Sequence, residues 1–299
     1  MELPRAPNAR RTRDERRERA MNEQAAFGSH KIRRIAIEGF RRLRSLDIPV
    51  RPFMVLIGAN GVGKTSFLDA LTLLSASAAG RLSETLSLFG GVAKLLTRGK
   101  CEEIALAVEM DVPGYEPLRY RLQMEPRGAG SSITQETLLQ QNSNHPRPFF
   151  YIDAHHGRVE YYNTETKRLD VPDWDYNPGE TALSQVPKMF RQPEALRRVL
   201  ATATQYHTLD VGSRAPIKLP QPVKPADLPG ANGEALLPFL YSLRESDRPR
   251  FDAVTDALRA AYPDFEELTF PPAAAGMLAL SWKDKKFESP IYADELSEG

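Results

Sequence analysis

The stretch Gly58-Ala59-Asn60-Gly61-Val62-Gly63-Lys64-Thr65 matches the pattern G-x-x-x-x-G-K-[ST], and its reading decides the fold class. Before it stands Phe53-Met54-Val55-Leu56-Ile57, a continuous apolar run that reads as a central strand covered on both faces. After it, Phe67, Leu68, Leu71 and Leu74 recur at helical spacing, so residues 66–74 read as an amphipathic helix. Strand, loop and helix form the context this pattern requires. The glycines let the backbone curl until successive N–H groups point inward at phosphate oxygens, and the helix adds its positive N-terminal end. Gly58, Asn60, Gly61, Gly63, Lys64, Thr65 and Ser66 are therefore the candidate phosphate-binding residues. In such a loop the lysine reaches the β- and γ-phosphates and the Thr65 hydroxyl ligates Mg²⁺. With glycine near 7% of residues, the bare pattern arises by chance in roughly one protein of this size in a hundred. The flanking strand and helix lower that further, so nucleotide binding is the expectation.

The rest of the composition narrows the class. The chain has 299 residues, 26% charged and 41% hydrophobic, enough for one large or two modest domains with a substantial core. Global disorder and collagen-like repeats are excluded. No run approaches the roughly 18 apolar residues of a membrane span, and no secretory segment opens the chain. The single cysteine, Cys101, cannot form an internal disulfide, so a cytoplasmic location is expected. Forty Lys and Arg against 39 Asp and Glu leave a net charge of +1, which argues neither for nor against nucleic acid. The 24 prolines point to many connections and broken helices.

Outward from the loop, residues 1–29 are arginine-rich, mixed in charge and poor in apolar side chains, and read as a mobile tail. Met21 is an alternative start. Residues 30–165 read as a lobe of strands carrying the phosphate loop. Within it Ile32, Ile35 and Ile37 lead to a turn at Gly39, and Leu43, Leu46, Ile48 and Val50 follow. Residues 104–110 and 118–124 alternate as strands around Pro113-Gly114, and residues 159–162 form another. The stretches 128–132 and 140–148 read as loops. Residues 166–299 read as a mainly helical lobe with a proline-rich connection over 216–229, returning to strands at 277–282 and 289–293. Phe251, Val254, Leu258 and Tyr262 form a helical stripe that reads as core.

The segments Ile35-Ala36-Ile37-Glu38-Gly39-Phe40-Arg41, Leu46-Asp47-Ile48-Pro49-Val50 and residues 55–66 together resemble the opening of RecF- and SMC-like ABC ATPase heads. Bacterial proteins of this OLD/RecF-like head group are often filed as AAA-type ATPases. The resemblance implies an α/β P-loop NTPase fold of ABC-head type, with an antiparallel strand layer and an inserted helical lobe. It implies ATP and Mg²⁺ as cofactors, and it offers Arg41 as a residue facing the nucleotide; a solvent-exposed arginine is the equal alternative. A GTPase would carry a base-reading Asn-Lys-x-Asp, which the sequence lacks.

Leu296-Ser297-Glu298-Gly299 resembles the signature motif of the same group. There the Ser297 hydroxyl and Gly299 backbone would meet the γ-phosphate held by the opposite protomer, making ATP the glue of a homodimer. No apolar run ending in Asp-Glu follows Lys64, so the Walker B carboxylate is expected beyond residue 299 and the final core strands are expected to be missing. On this reading the chain is truncated at the signature, and it alone would not hydrolyse ATP.

Weaker signals complete the reading. Gln185 stands where a Q-loop glutamine could sense Mg²⁺, with an exposed loop glutamine as the alternative. His155-His156 lacks metal-ligand spacing, because adjacent residues of a strand point apart. The function expected is an ATP-binding head that dimerises around ATP and hydrolyses it when complete. A role in DNA metabolism or phage defence, with DNA as a partner, rests on family analogy alone. A non-hydrolytic nucleotide-binding remnant or half of a split ATPase is the rival, and a small-molecule kinase a weaker one.

Overall fold

The computed structural model describes residues 30–128, 130–141, 146–187, 191–206 and 209–296. Its largest element is an eight-stranded antiparallel sheet: β1 (Lys31–Phe40), β2 (Leu43–Pro49), β3 (Ile104–Val112), β4 (Tyr115–Arg127), β5 (Gly130–Gln140), β6 (Phe149–His155), β7 (Arg158–Asn163) and β8 (Arg168–Asp170). The spatial order is β2-β1-β3-β4-β5-β6-β7-β8, so from β3 onward every strand pairs with its sequence neighbour. Period-two alternation sets the two faces. Ile35 and Ile37, Leu106 and Val108, Tyr120 and Leu122, Leu138, and Ile152 point into the core. The opposite face is charged, with Arg34 on Asp47 at 2.6 Å and Arg119 on Glu109 at 3.1 Å. One dry face and one wet face is the normal economy of an antiparallel sheet.

Helices cover the dry face. They are α1 (Lys64–Ala78), α2 (Leu82–Leu88), α3 (Val92–Leu95), α4 (Ala182–Gln185) and α5 (Arg191–Ala201). Of the predicted face of α1, Phe67 and Leu74 are buried, Leu71 is half-buried and Leu68 exposed; Ala70 and Leu73 complete the buried face. Two carboxylates from distant sequence tie the helices down. Glu180 accepts from the N–H groups of Leu82 (2.8 Å) and Ser83 (3.0 Å), capping α2 from outside it. Glu136 of β5, fully buried, accepts from Ala182 N–H (2.6 Å), Leu183 N–H (2.8 Å) and Tyr120 O–H (3.1 Å).

The chain divides into two compact units between Ala203 and Thr204. The sequence placed a boundary at 165/166, but Leu183, Leu196 and Leu200 belong to the core of the first unit. The second unit contains β9 (Gln221–Pro222), α6 (Leu236–Ser246), α7 (Arg248–Ala261), β10 (Phe265–Thr269), β11 (Met277–Leu278), β12 (Ser281–Asp284) and β13 (Ile291–Tyr292). Leu237, Leu240, Phe251, Phe265, Leu268 and Leu280 form its own core. Of the predicted stripe, Phe251 is buried and Tyr262 exposed. No described helix is long and apolar enough to cross a membrane.

Three local expectations are corrected. The first hairpin turns at Arg41-Arg42, not at Gly39, which lies within β1. Gly39 has φ +71°, and a Cβ there would lie 2.2 Å from the Glu103 carbonyl oxygen, so the glycine permits close packing of β1. Residues 130–132 and 140, expected in loops, belong to the long strand Gly130–Gln140. Residues 53–57 are not a covered central strand. They pair with no strand among the described residues, and Phe53 is 82% and Ile57 90% exposed.

Candidate functional site

The phosphate loop leads directly into α1. Gly63 is the N-cap, with φ +112° and ψ +11°, a conformation that a side chain would strain. A Cβ at that position would also lie 2.9 Å from Leu43 Cδ2, so the loop rests on the β1–β2 turn. Phe67 N–H bonds Gly63 C=O at 2.9 Å, which starts the helical ladder. The N–H groups of Lys64, Thr65 and Ser66 come before that ladder and have no helical carbonyl to bond. They form the donor-rich, positive end of the helix.

Lys64 folds back over the loop. Its Nζ donates to the carbonyls of Gly58 (2.6 Å) and Ala59 (2.9 Å), holding the ammonium across the mouth of the loop. Gly58 through Gly61 and Thr65 are exposed, while Ser66 is buried at 6%. A nucleotide triphosphate fits this donor set: backbone N–H groups, one ammonium, and a hydroxyl in the first helical turn. Thr65 is the residue that would hold Mg²⁺ together with phosphate oxygens.

Arg41 stands beside this site. Its φ is +49°, and its Nη1 lies 2.7 Å from Asp69 Oδ2, on the second turn of α1. Its guanidinium also lies 5.2 Å from the ring centre of Phe89. The structure therefore brings Arg41 to the flank of α1, paired to a carboxylate.

Gln185 is placed elsewhere. Its Nε2 donates to Asn177 O (3.0 Å) and its Oε1 accepts from Asn177 N–H (2.8 Å), so it staples the loop before α4. That loop is fixed to the far end of α1, where Thr181 Oγ1 donates to the Ser77 carbonyl at 2.8 Å. The 15 residues of α1 separate the two sites by about 20 Å along the helix axis. Gln185 is not brought to the phosphate loop of its own chain. Ser297 and Gly299 lie outside the described residues.

Sequence reasoning missed a basic cavity of about 760 Å³ next to the loop. It is lined by Arg41, Arg42, Arg44, Ser66, Lys94, Leu96, Thr97, Arg98 and Lys100. The signal was present as the runs Arg41-Arg42-Leu43-Arg44 and Lys94 to Lys100. Their meeting depends on Arg41 N–H bonding the Leu95 carbonyl (2.5 Å) and Thr97 N–H the Gly39 carbonyl (2.9 Å), which spacing does not reveal. His155 Nε2 pairs with Asp153 Oδ1 at 2.8 Å, and among the described residues no three His, Cys, Asp or Glu side chains converge.

Residues 53–299 match the family described as "AAA domain, putative AbiEii toxin, Type IV TA system". No curated protein matches the chain. A solved structure described as "Structural biochemistry of ATP-driven dimerization and DNA stimulated activation of SMC ATPases" is 22% identical over 34% of this chain and 67% of its own, at a TM-score of 0.28.

Proposed function

The chain belongs to this family of AAA domains, and on that premise we propose that it binds Mg·ATP at residues 58–66 as the P-loop part of an ABC-type ATPase head. The observation that carries the reading is Gly63, a left-handed N-cap that leaves the first turn of α1 open to phosphate. Backbone N–H groups of the loop take the phosphate oxygens, and Lys64 leaves the Gly58 and Ala59 carbonyls for the β- and γ-phosphates. Thr65 contributes its hydroxyl to Mg²⁺.

Finer parts of the reading come from the resemblance in sequence. They are an ATP-bridged homodimer with Ser297 and Gly299 acting across it, hydrolysis in the complete assembly, and a role in DNA metabolism or phage defence. A second reading, non-hydrolytic binding by one half of a split ATPase, is favoured by residues 53–57. Five large apolar side chains exposed just before a phosphate loop suit a segment that further strands cover in the working assembly.

Titration calorimetry with Mg·ATP tests the first reading, on the chain and on Lys64→Ala. Binding by the wild type that the variant loses is expected; equal affinities overturn the site. Phosphate release by the purified chain, abolished in Lys64→Ala, would overturn the non-hydrolytic reading.

A further inference from the structure

We propose that Glu136, Tyr120 and Ser77 form a proton-operated latch at the end of α1 opposite the phosphate loop. It holds the segment 176–186 closed while Glu136 carries a proton and releases it when the proton leaves to water. Glu136 is fully buried on β5, and its hydrogen-bond partners reach it from β4 and α4. The N–H groups of Ala182 and Leu183 can only donate. The Tyr120 hydroxyl, 3.1 Å from Oε1, can donate or accept. Tyr120 also meets the Ser77 hydroxyl. Ser77 spends its one proton on the Leu74 carbonyl at 2.8 Å, so towards Tyr120 it can only accept. The single proton of Tyr120 therefore serves either Glu136 or Ser77, and the charge of Glu136 decides which. With Glu136 neutral, an unbroken chain of donors runs from Glu136 through Tyr120 and Ser77 to the Leu74 carbonyl of α1. With Glu136 ionised, Tyr120 donates to the carboxylate and the link to α1 is lost.

The groups around Glu136 make its ionised form costly. Tyr120 faces it from β4, Tyr176 from the stretch before α4, and its neighbour on β6 is Ala154. No lysine, arginine or histidine acts on its charge. Burial holds both phenols above their ordinary range, so neither gives up a proton near neutrality. Glu180, the other carboxylate of the segment, spends its oxygens on the N–H groups of Leu82 and Ser83. An ionised Glu136 is thus a buried charge without a counter-charge, near the carbonyl end of α1, and water relieves it. The cover over it is short. Its helix α4 has only four residues, too few to persist as a helix by itself. Thr181 fastens that cover to α1 by donating to the Ser77 carbonyl at 2.8 Å, and Ala182, Leu183 and Val186 are buried beneath it. Release therefore admits water to Glu136 and frees Ser77 at both its hydroxyl and its carbonyl.

Hydrogen–deuterium exchange of the whole chain, read by mass spectrometry and divided by the intrinsic rate at each pH, tests the latch without any nucleotide. Burial raises the Glu136 carboxyl from 4.5 to about 7. The closed form therefore holds a proton that the open form gives up, and opening grows with pH between those values and levels off above them. Protection of 176–186 is expected to fall by roughly tenfold or more between about pH 5 and about pH 7, with this segment exchanging faster than β4 and β5 throughout. Glu136→Gln, which cannot ionise, should show no such fall, and circular dichroism checks that it folds. Ser77→Ala removes the acceptor that only the neutral form uses. It should lower protection at about pH 5 and leave that at about pH 8 unchanged, and it decides the matter even if Glu136→Gln does not fold. The same profile in the wild type and Glu136→Gln overturns the proposal. So does Ser77→Ala weakening the segment equally at both pH values, which would make the serine a packing residue. Exchange of the segment at one common rate with β4 and β5 overturns it too, since the whole unit would then be opening.

Discussion

The Arg41 guanidinium lies 2.7 Å from the Asp69 carboxylate, joining the tip of the β1–β2 hairpin to the helix that follows the phosphate loop. Asp69 is 14% exposed and Arg41 34%, so the pair is partly shielded from water. The same arginine borders the basic cavity, so the pair stands between that cavity and the phosphate loop's helix.

A double-mutant cycle with Arg41→Gln and Asp69→Asn should give a coupling near 1 kcal/mol, somewhat above that of a fully exposed pair. Urea unfolding measures it. Additive single effects would show that the two groups do not hold the hairpin to α1.

Lys64→Ala should lower Mg·ATP affinity by about ten- to a hundredfold, the effect of removing charge-assisted hydrogen bonds worth roughly 1.5–3 kcal/mol. Its melting temperature should change little, since the two carbonyls it bonds belong to an exposed loop that water can solvate. A large drop in melting temperature would mean that the ammonium organises the loop rather than serving the ligand.

Glu136 should make stability fall as pH rises. Burial pushes its carboxyl up from 4.5 to about 7, against the opposing pull of the Leu183 and Ala182 N–H groups and the Tyr120 hydroxyl. The folded chain thus keeps a proton that the unfolded chain gives up. The stabilising contribution is complete below about pH 4.5 and lost by about pH 7, a change of order 3 kcal/mol. Glu136→Gln, which has no such proton, should be less stable overall and show a flatter profile in this window. Identical slopes in wild type and variant would place the titration elsewhere.

Phe53→Ser/Ile57→Ser should leave the unfolding free energy nearly unchanged and reduce self-association, because neither side chain is covered. Light scattering against concentration reads this. A clear loss of stability would mean that both residues pack against something in solution.

Where side-chain pattern and burial agree, the fold was legible. The helix after the phosphate loop and the strands at Ile104–Val112 and Tyr115–Arg127 carry alternation or helical spacing that their cores reward. The strand Gly130–Gln140 was not legible, because Glu136 and Thr134, both buried, occupy positions that an apolar pattern would fill. Residues 53–57 misled in the opposite direction: an apolar run states what a segment would bury, and the described chain offers it no strand partner. The phosphate loop was legible because its chemistry is local. The hydrogen bonds of Gln185 to Asn177 and Glu180 were not legible, because no motif includes those partners.

The order of strands has a consequence for how the molecule assembles. From β3 to β8 each strand joins its predecessor, so these six strands can zip by short-range contacts in sequence. The β1–β3 pairing is different, since it must close the long excursion from Pro49 to Ile104 that contains α1. Closure of that one loop delivers the helix to the sheet and brings Gly63 onto Leu43. The phosphate site would thus be a late product of folding: amides of β4 and β5 should gain protection from hydrogen exchange before those of α1.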